Sequence, residues 1–164
     1  MAQENATPPP EIPLPTHEEL AAAAAEINTA SDELGKPIEA IEAYLATLNI
    51  GIPAWIKVKG WEDDYGYYWK RELGYEEISD EWHLAIRETS GNEANPEGES
   101  ARTWAFNRSP RKARISAVDK IPELLRELAK EAQKTARRIR EKSVETAALA
   151  ATFSAPAAPK KAGK

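Results

Sequence analysis

A row of apolar side chains spaced three or four residues apart constrains the fold of this chain more than any other feature. It lies within residues 109–148 and consists of Val118, Ile121, Leu125 and Leu128, continued more weakly by Ala132, Thr135 and Ile139. Such steps place every member on one face of an α-helix. Ser109 is the predicted N-cap and Pro110 the first helical residue. Because an interior proline costs about 3 kcal/mol or more, Pro122 predicts either a kink or a fresh helix start capped by Asp119.

A second helix is predicted near the start of the chain. Thr16 and Glu19 have the spacing of a capping box, in which each side chain accepts a hydrogen bond from the other's backbone. The apolar row that follows has alternating steps of four and three residues: Leu20, Ala24, Ile27, Ser31, Leu34, Ile38, Ile41, Leu45 and Leu48. The row keeps its phase across the Gly-Lys-Pro sequence at residues 35–37, where the helix either kinks or stops and restarts.

The residues between the two helices have strand character. Alternating or β-branched and aromatic residues predict strands at residues 55–60, 67–75 and 82–89, with a short fourth strand at 102–106. Residues 90–100 are rich in Gly, Asn, Pro and Glu and are predicted to form a mobile loop.

This order of elements predicts an α+β fold. We expect an N-terminal helix, a three- or four-stranded antiparallel meander and a long kinked C-terminal helix, with the two helices packed together against one sheet face. The predicted domain occupies residues 16–148, between a disordered Pro-rich tail at 1–15 and a flexible Ala/Pro/Lys tail at 149–164. In the alternative arrangement, the two apolar rows continue past the sheet as an antiparallel helical hairpin or as a dimer seam.

The charge of the chain is divided unevenly. Residues 1–100 contain 21 acidic and 6 basic residues, a balance of −15, whereas residues 101–164 contain 6 acidic and 16 basic residues, a balance of +10. Such a division is typical either of two halves that neutralise each other in the fold or of a protein with a polyanionic partner.

Residue types exclude several classes of chemistry. The chain has no cysteine and only two histidines, so disulfides and thiolate metal sites are impossible and imidazole ligands are few. Acidic groups such as Glu62-Asp63-Asp64 lie at predicted turns, where solvation is the default. We therefore expect no catalytic residue, no metal site and no cofactor. No apolar run approaches the roughly 20 residues that cross a bilayer, and the N-terminus lacks a signal pattern, so we expect a soluble cytoplasmic protein with no membrane partner.

Aromatic residues are concentrated within the predicted strands. Strand alternation places Trp55 and Trp61 on the face opposite Ile56 and Val58, so that large rings occupy both faces of the sheet. The two helices can cover only one face. The predicted partner surface is therefore an exposed aromatic face comprising Trp55, Trp61, Tyr67 and Trp69.

A basic cluster lies at the start of the C-terminal helical region and consists of Arg108, Arg111, Lys112 and Arg114. Cations at a helix N-terminus are disfavoured by roughly 0.3–1 kcal/mol if they are exposed. The cluster therefore predicts compensation, either by acidic residues from the first hundred positions or by an external phosphate.

Three functional hypotheses follow. The leading one is a small non-enzymatic module that binds another protein through the aromatic sheet face or the helical pair, with self-association through the helices as one form of it. The second is binding of nucleic acid or another polyanion by the basic second half. The third is an acidic inhibitor that mimics nucleic acid with its first hundred residues.

Overall fold

The computed structural model describes residues 13–154 of the 164-residue chain and confirms the α+β prediction. The elements in chain order are α1 (His17–Leu48), β1 (Ala54–Glu62), β2 (Tyr67–Ile78), β3 (Glu81–Asn92), β4 (Asn95–Ala105), a 3-10 turn (Phe106–Arg108), α2 (Arg111–Val118) and α3 (Ile121–Ser154). Most of the predicted tails, residues 1–12 and 155–164, lies outside the described residues.

The chain divides into two compact units between Pro37 and Ile38. The described part of the first unit, residues 13–37, is the N-terminal part of α1 and its entry. The predicted capping box is confirmed: the Thr16 N–H donates to the Glu19 carboxylate at 2.7 Å, and the Glu19 N–H donates to Thr16 Oγ1 at 3.2 Å. The helix α1 continues through Pro37 and does not stop and restart there.

The second unit contains a four-stranded antiparallel sheet in the order β1-β2-β3-β4. A two-residue turn joins β2 to β3, and both of its residues, Ser79 and Asp80, have positive φ, as a tight hairpin turn requires. The predicted mobile loop at residues 90–100 is wrong, because Ser90 pairs with Ser100 within the β3–β4 hairpin. Backbone pairing extends the hairpin through residues whose side chains show no apolar alternation, so periodicity gave no sign of it.

The core lies on the sheet face that carries Leu73 and Tyr75, which we call the helix face. Each helix adds side chains to the same buried cluster: Ile38 and Leu45 from α1, Ala113 and Ala117 from α2, and Ile121, Leu124 and Leu128 from α3. Leu124 is completely buried, whereas Leu125, a predicted core residue, only packs against the cluster's edge. The buried face of α3 is therefore rotated slightly from the predicted row.

The predicted long C-terminal helix is two helices. Asp119 ends α2, and the carbonyl of Lys120 accepts hydrogen bonds from Glu123 and Leu124, both at 3.0 Å, in the first turn of α3. Pro122 lies in that turn, where a missing N–H removes no helical hydrogen bond. The fresh start is confirmed, although Asp119 closes α2 instead of capping α3, and α3 continues to Ser154, beyond the predicted end at 148.

The predicted N-cap of the basic helix is also corrected. The N-cap of α2 is Pro110, which has no side-chain donor or acceptor to offer. The Ser109 hydroxyl instead donates to the Phe106 carbonyl at 2.7 Å and is buried there. Ser109 thus closes the preceding 3-10 turn.

Candidate functional site

A β-bulge in β1 decides which face each tryptophan occupies. Trp55 pairs with Gly74, but the register shifts between Lys57 and Lys59, and Trp61 consequently pairs with Trp69. Side chains alternate along β2, so Trp69 shares the helix face with Leu73 whereas Gly74 points to the opposite face. The prediction that Trp55 and Trp61 share a face is wrong, because the bulge returns Trp61 to the helix face.

Trp55 is a packing residue on the opposite face. Its ring lies across Gly74, where an added Cβ would come within 2.3 Å of the ring. The Arg87 guanidinium stacks 4.0 Å from the ring centroid, and its Nε donates to Glu72 at 3.1 Å. Trp55 is half-buried in this stack and does not belong to the surface formed by the other three aromatic residues of the predicted set.

Trp69 is half-buried on the helix face, beside a network that fixes its surroundings. The Arg71 guanidinium lies 5.1 Å from the ring centroid and the Lys59 ammonium 5.7 Å from it. Arg71 is itself held by Glu88, at 2.9 Å from Nε, and by the hydroxyl of Ser116 on α2, at 2.7 Å. This network joins α2 to the sheet at the border between the core and the remaining part of the helix face.

Three aromatic side chains beyond that border are exposed, and we call them the aromatic end: Trp61, Tyr65 and Tyr67. Their exposed fractions are 56%, 82% and 56%. Together with Trp69 and polar residues of the β3–β4 hairpin, they line a shallow groove of about 1110 Å³. Two of the four predicted surface residues, Trp61 and Tyr67, are thus brought together, with Trp69 as the wall of the groove.

The turn that carries Tyr65 is fixed by its own hydrogen bonds. One carboxylate oxygen of Asp63 accepts from the backbone N–H groups of Tyr65, at 3.0 Å, and Tyr67, at 2.9 Å. Gly66 has a φ of 78°, a conformation that glycine adopts without strain. The aromatic end is therefore ordered by backbone contacts and not by burial.

The two neighbouring hairpin turns are also bonded to each other. The Glu93 N–H donates to the Gly66 carbonyl at 2.9 Å, and the Asn92 side-chain amide donates to the Tyr65 carbonyl at 3.2 Å. The Asn92 side chain in turn accepts from the N–H of Ala94 at 2.8 Å. These bonds hold the β1–β2 turn against the β3–β4 turn, so the groove is preformed.

The two hairpin segments that carry the groove are rich in acidic residues, which we call the acidic rim, whereas Lys59 and Arg71, which contact the Trp69 ring, lie outside these segments. Residues 61–69 and 90–101 contain no lysine or arginine and six carboxylates: Glu62, Asp63, Asp64, Glu93, Glu97 and Glu99. The Tyr68 hydroxyl donates to the Glu99 carboxylate. This hydrogen bond, with smaller contributions from desolvation and from the charges of Glu99 and Glu93, raises the pKa of Tyr68 above its usual 10.0.

Sequence reasoning missed Tyr65 as a site residue and missed the bulge. Tyr65 directly follows Glu62-Asp63-Asp64 at a predicted turn, and an aromatic residue in such an acidic turn is the available signal. Gly60 was the signal for the bulge, since a lone glycine in a strand pattern often marks one. A Cβ at Gly60 would lie 2.7 Å from the Trp69 carbonyl oxygen, so glycine permits the close pairing that the bulge produces.

The basic cluster does not form one exposed face. Arg108, Arg111 and Lys112 are exposed, but Arg114 is only 9% exposed and lies on the buried side of α2 with Ala113 and Ala117. Arg114 therefore does not share an exposed surface with Arg108, Arg111 and Lys112.

His83 lies beside two carboxylates at the start of β3. Its Nδ1 is 3.6 Å from Glu42 and its Nε2 is 3.6 Å from Glu81. Glu42 also accepts the backbone N–H of Leu84 at 2.8 Å, which assigns it a structural contact between α1 and the sheet. The adjoining cleft, about 440 Å³, is lined by no Ser, Thr or Cys among the described residues.

In the described part of the chain, no group of three or more His, Cys, Asp or Glu side chains is arranged to hold a metal ion. Within residues 13–154, no helix combines the length and the apolar character needed to cross a membrane.

Comparison with protein-family models, with curated proteins and with solved structures finds no match to this chain.

Proposed function

We propose that this protein is a small non-enzymatic binding module whose aromatic end takes a basic segment of another protein. The observation that supports this most strongly is three exposed aromatic rings on the β1–β2 hairpin, whose turn is hydrogen-bonded to the β3–β4 turn. Trp and Tyr are the residues that most often dominate binding energy at protein interfaces. They offer a large contact area and lose few rotatable bonds on binding.

The acidic rim supports the choice of a basic partner. Six carboxylates lie in the two hairpin segments that carry the groove, and the faces of aromatic rings attract cations, so lysine and arginine side chains can interact with both. A phosphate backbone would meet the same carboxylates as like charges within a Debye length, about 8 Å at physiological salt. The aromatic end therefore favours protein over nucleic acid.

The test uses fluorescein-labelled peptides that alternate Arg or Lys with apolar residues, and matched peptides in which Glu replaces every basic residue. Fluorescence anisotropy measures binding to the full chain. The variant Trp61→Ala/Tyr65→Ala/Tyr67→Ala removes the rings, and Tyr44→Ala, at an exposed tyrosine on α1 (63% exposed), is the matched control.

We expect salt-sensitive binding of basic peptides by the wild type and by Tyr44→Ala, no binding of the acidic peptides, and loss of binding in the triple variant. Equal binding by the triple variant and the wild type would contradict the proposed site.

The nucleic-acid mimic is the second candidate, because the carboxylates of the rim are clustered at one end of the sheet. A mimic would bind a basic protein surface through these charges alone. The two functions separate in one comparison: the ring-deleted triple variant retains mimicry but loses aromatic binding, whereas Glu62→Gln/Asp64→Asn/Glu97→Gln weakens both.

A further inference from the structure

The groove at the aromatic end has an uncharged interior. Among the described residues that line it there is no carboxylate, lysine or arginine; beside the rings they are serine, alanine, asparagine and glycine. The six carboxylates of the acidic rim belong to the same hairpin segments but do not line the groove. We propose that the aromatic end binds a trimethylated lysine side chain in the basic segment of the partner. This assignment rests on the proposed function and names the side chain that the rings contact.

Strand pairing brings the rings of the groove together on one sheet face. Trp61 lies directly across from Trp69, and Tyr67 lies two residues before Trp69 on the same side of β2. Directly opposed residues have Cβ atoms about 4.5–5.5 Å apart, and two residues along a strand span about 7 Å. A cation interacts with a ring when it lies within about 6 Å of the ring centroid. One methylated ammonium group can therefore contact more than one ring.

Trp69 already contacts cations of the chain itself. The Lys59 ammonium lies 5.7 Å from its ring centroid and the Arg71 guanidinium 5.1 Å from it. Lys59 and Arg71 pair with each other across β1 and β2, on the core side of Trp61 and Trp69. The chain's own cations thus contact the wall of the groove from the core side. The three rings of the aromatic end remain exposed beyond it, where an external cation can reach them.

The uncharged interior favours a quaternary ammonium over a primary one. The lysine ammonium is a compact, strongly hydrated charge with three N–H donors, and burying it without a charged partner is costly. A trimethylated ammonium has no N–H group to satisfy, and aromatic ring faces are what proteins use to recognise quaternary ammonium groups. The Asn92 amide, a polar group of the groove, already donates to Tyr65 and accepts from Ala94. The groove therefore offers ring faces where a primary ammonium would need carboxylates.

The acidic rim favours a protein segment as the carrier of this group. Methylation keeps the positive charge of lysine, so the rim still attracts the modified side chain. Neighbouring lysine and arginine residues of the segment are attracted in the same way. A phosphocholine lipid headgroup also carries a quaternary ammonium, but its phosphate would meet the carboxylates of the rim as a like charge. The rings and the rim together therefore fit a methylated basic segment better than a lipid.

The test compares three fluorescein-labelled peptides of one sequence that alternates lysine with apolar residues. The central lysine is unmodified, trimethylated, or replaced by the neutral isostere in which carbon takes the place of the trimethylated nitrogen. Fluorescence anisotropy with the full chain measures the three affinities. We expect the trimethylated peptide to bind roughly 5- to 30-fold more tightly than the neutral one, because the two differ in charge but not in shape. It should also bind more tightly than the unmodified peptide.

Two results of this comparison would overturn the assignment. Equal binding of the trimethylated and neutral peptides would show that the rings make only apolar contacts. An unmodified peptide that binds as tightly as the trimethylated one would show that the groove does not select methyl groups. In either case, binding that is lost in Trp61→Ala/Tyr65→Ala/Tyr67→Ala would still support the proposed function, whereas failure of all three peptides to bind would contradict both.

One substitution within the aromatic end should reverse the preference. Tyr67→Glu places a carboxylate among the rings and should favour the unmodified lysine, whose N–H groups can donate to it. Tyr67→Phe keeps a ring at this position and is the matched control, so it should prefer the trimethylated peptide as the wild type does. Circular dichroism confirms that both variants are folded. An unchanged preference in Tyr67→Glu would contradict the assignment.

Phosphatidylcholine vesicles test the lipid as the source of a quaternary ammonium. We expect the full chain not to sediment with these vesicles. Cosedimentation of the wild type that Trp61→Ala/Tyr65→Ala/Tyr67→Ala loses would assign the rings to a lipid headgroup and would overturn the binding of methylated lysine.

Discussion

The two parts of the helix face of the sheet differ in how they are ordered. Near α3, Leu73 and Ile86 are completely buried and pack in one cluster with side chains from the helices. Beyond Arg71, the same face carries Trp61 and Tyr67, whose rings remain more than half exposed. The first part is held by burial of apolar surface, the second by hydrogen bonds within and between two turns. Large side chains on one sheet face are thus core at one end and surface at the other.

The arginine network marks where this change occurs. Arg71 is 8% exposed and contacts Glu88, Ser116 and the ring of Trp69 at once. A buried charge must be paired and hydrogen-bonded to be tolerated, and this one is. Its network separates the buried core from the groove. Removing the aromatic side chains at the end of the sheet should therefore leave the packing of the helices on the core unchanged.

The largest expected effect is on the core side of the comparison. Leu124→Ala should reduce the free energy of unfolding by about 2–5 kcal/mol, as at other fully buried leucines. Urea denaturation followed by circular dichroism measures it. Ile115→Ala on α2, at a side chain 66% exposed, is the control and should change stability by about 0.5 kcal/mol or less. A harmless Leu124→Ala would mean that α3 does not supply the core.

A smaller loss is expected on the opposite face. Gly74→Ala places a Cβ within 2.3 Å of the Trp55 ring and should cost about 1–3 kcal/mol through overpacking. Combining it with Trp55→Ala removes the clash, so the double variant should be more stable than the sum of the two single changes predicts. Additive losses in this double-mutant cycle would show that the ring does not lie on Gly74.

The sequence predicted the order and type of the elements, because the helical rows and strand alternation are strong local signals. The capping box of α1 and the break before Pro122 followed from residue types alone. The bulge after Lys57 could not be placed, since it depends on pairing with β2, and it reversed the face of Trp61. The outer part of β4 was also missed, because exposed strand residues such as Ser100 carry no apolar pattern.

The next prediction concerns the turn that orders the aromatic end. Asp63→Ala removes the acceptor of two backbone N–H groups and should cost roughly 0.5–1.5 kcal/mol of stability while weakening binding of basic peptides. Asp64→Ala is the control, because it removes one negative charge at the neighbouring exposed position but leaves the two backbone hydrogen bonds of Asp63 in place. If both variants bind peptide equally, the Asp63 hydrogen bonds do not shape the site.

Alkaline pH should weaken both parts of the sheet through tyrosine. Burial, with a smaller effect from the charge of Glu42, raises the pKa of Tyr75 above 10.0, and the Glu99 hydrogen bond raises that of Tyr68. Folding therefore favours the neutral phenols, and this stability is present below pH 10.0 and lost as pH rises through the raised pKa values. Urea denaturation at increasing pH should show a smaller alkaline loss for Tyr75→Phe than for the wild type. An identical loss of stability in Tyr75→Phe and in the wild type would show that ionisation of Tyr75 does not cause the alkaline destabilisation.

Removing the three rings of the aromatic end is expected to have the smallest effect on stability and the largest effect on peptide binding. The most direct test measures both quantities on the same samples of Trp61→Ala/Tyr65→Ala/Tyr67→Ala: urea denaturation for stability and anisotropy with the basic peptides for binding. The account predicts that binding is lost while unfolding changes by far less than in Leu124→Ala. A triple variant that unfolds as easily as Leu124→Ala yet still binds the basic peptides would contradict it, because the aromatic end would then be core and not a binding surface.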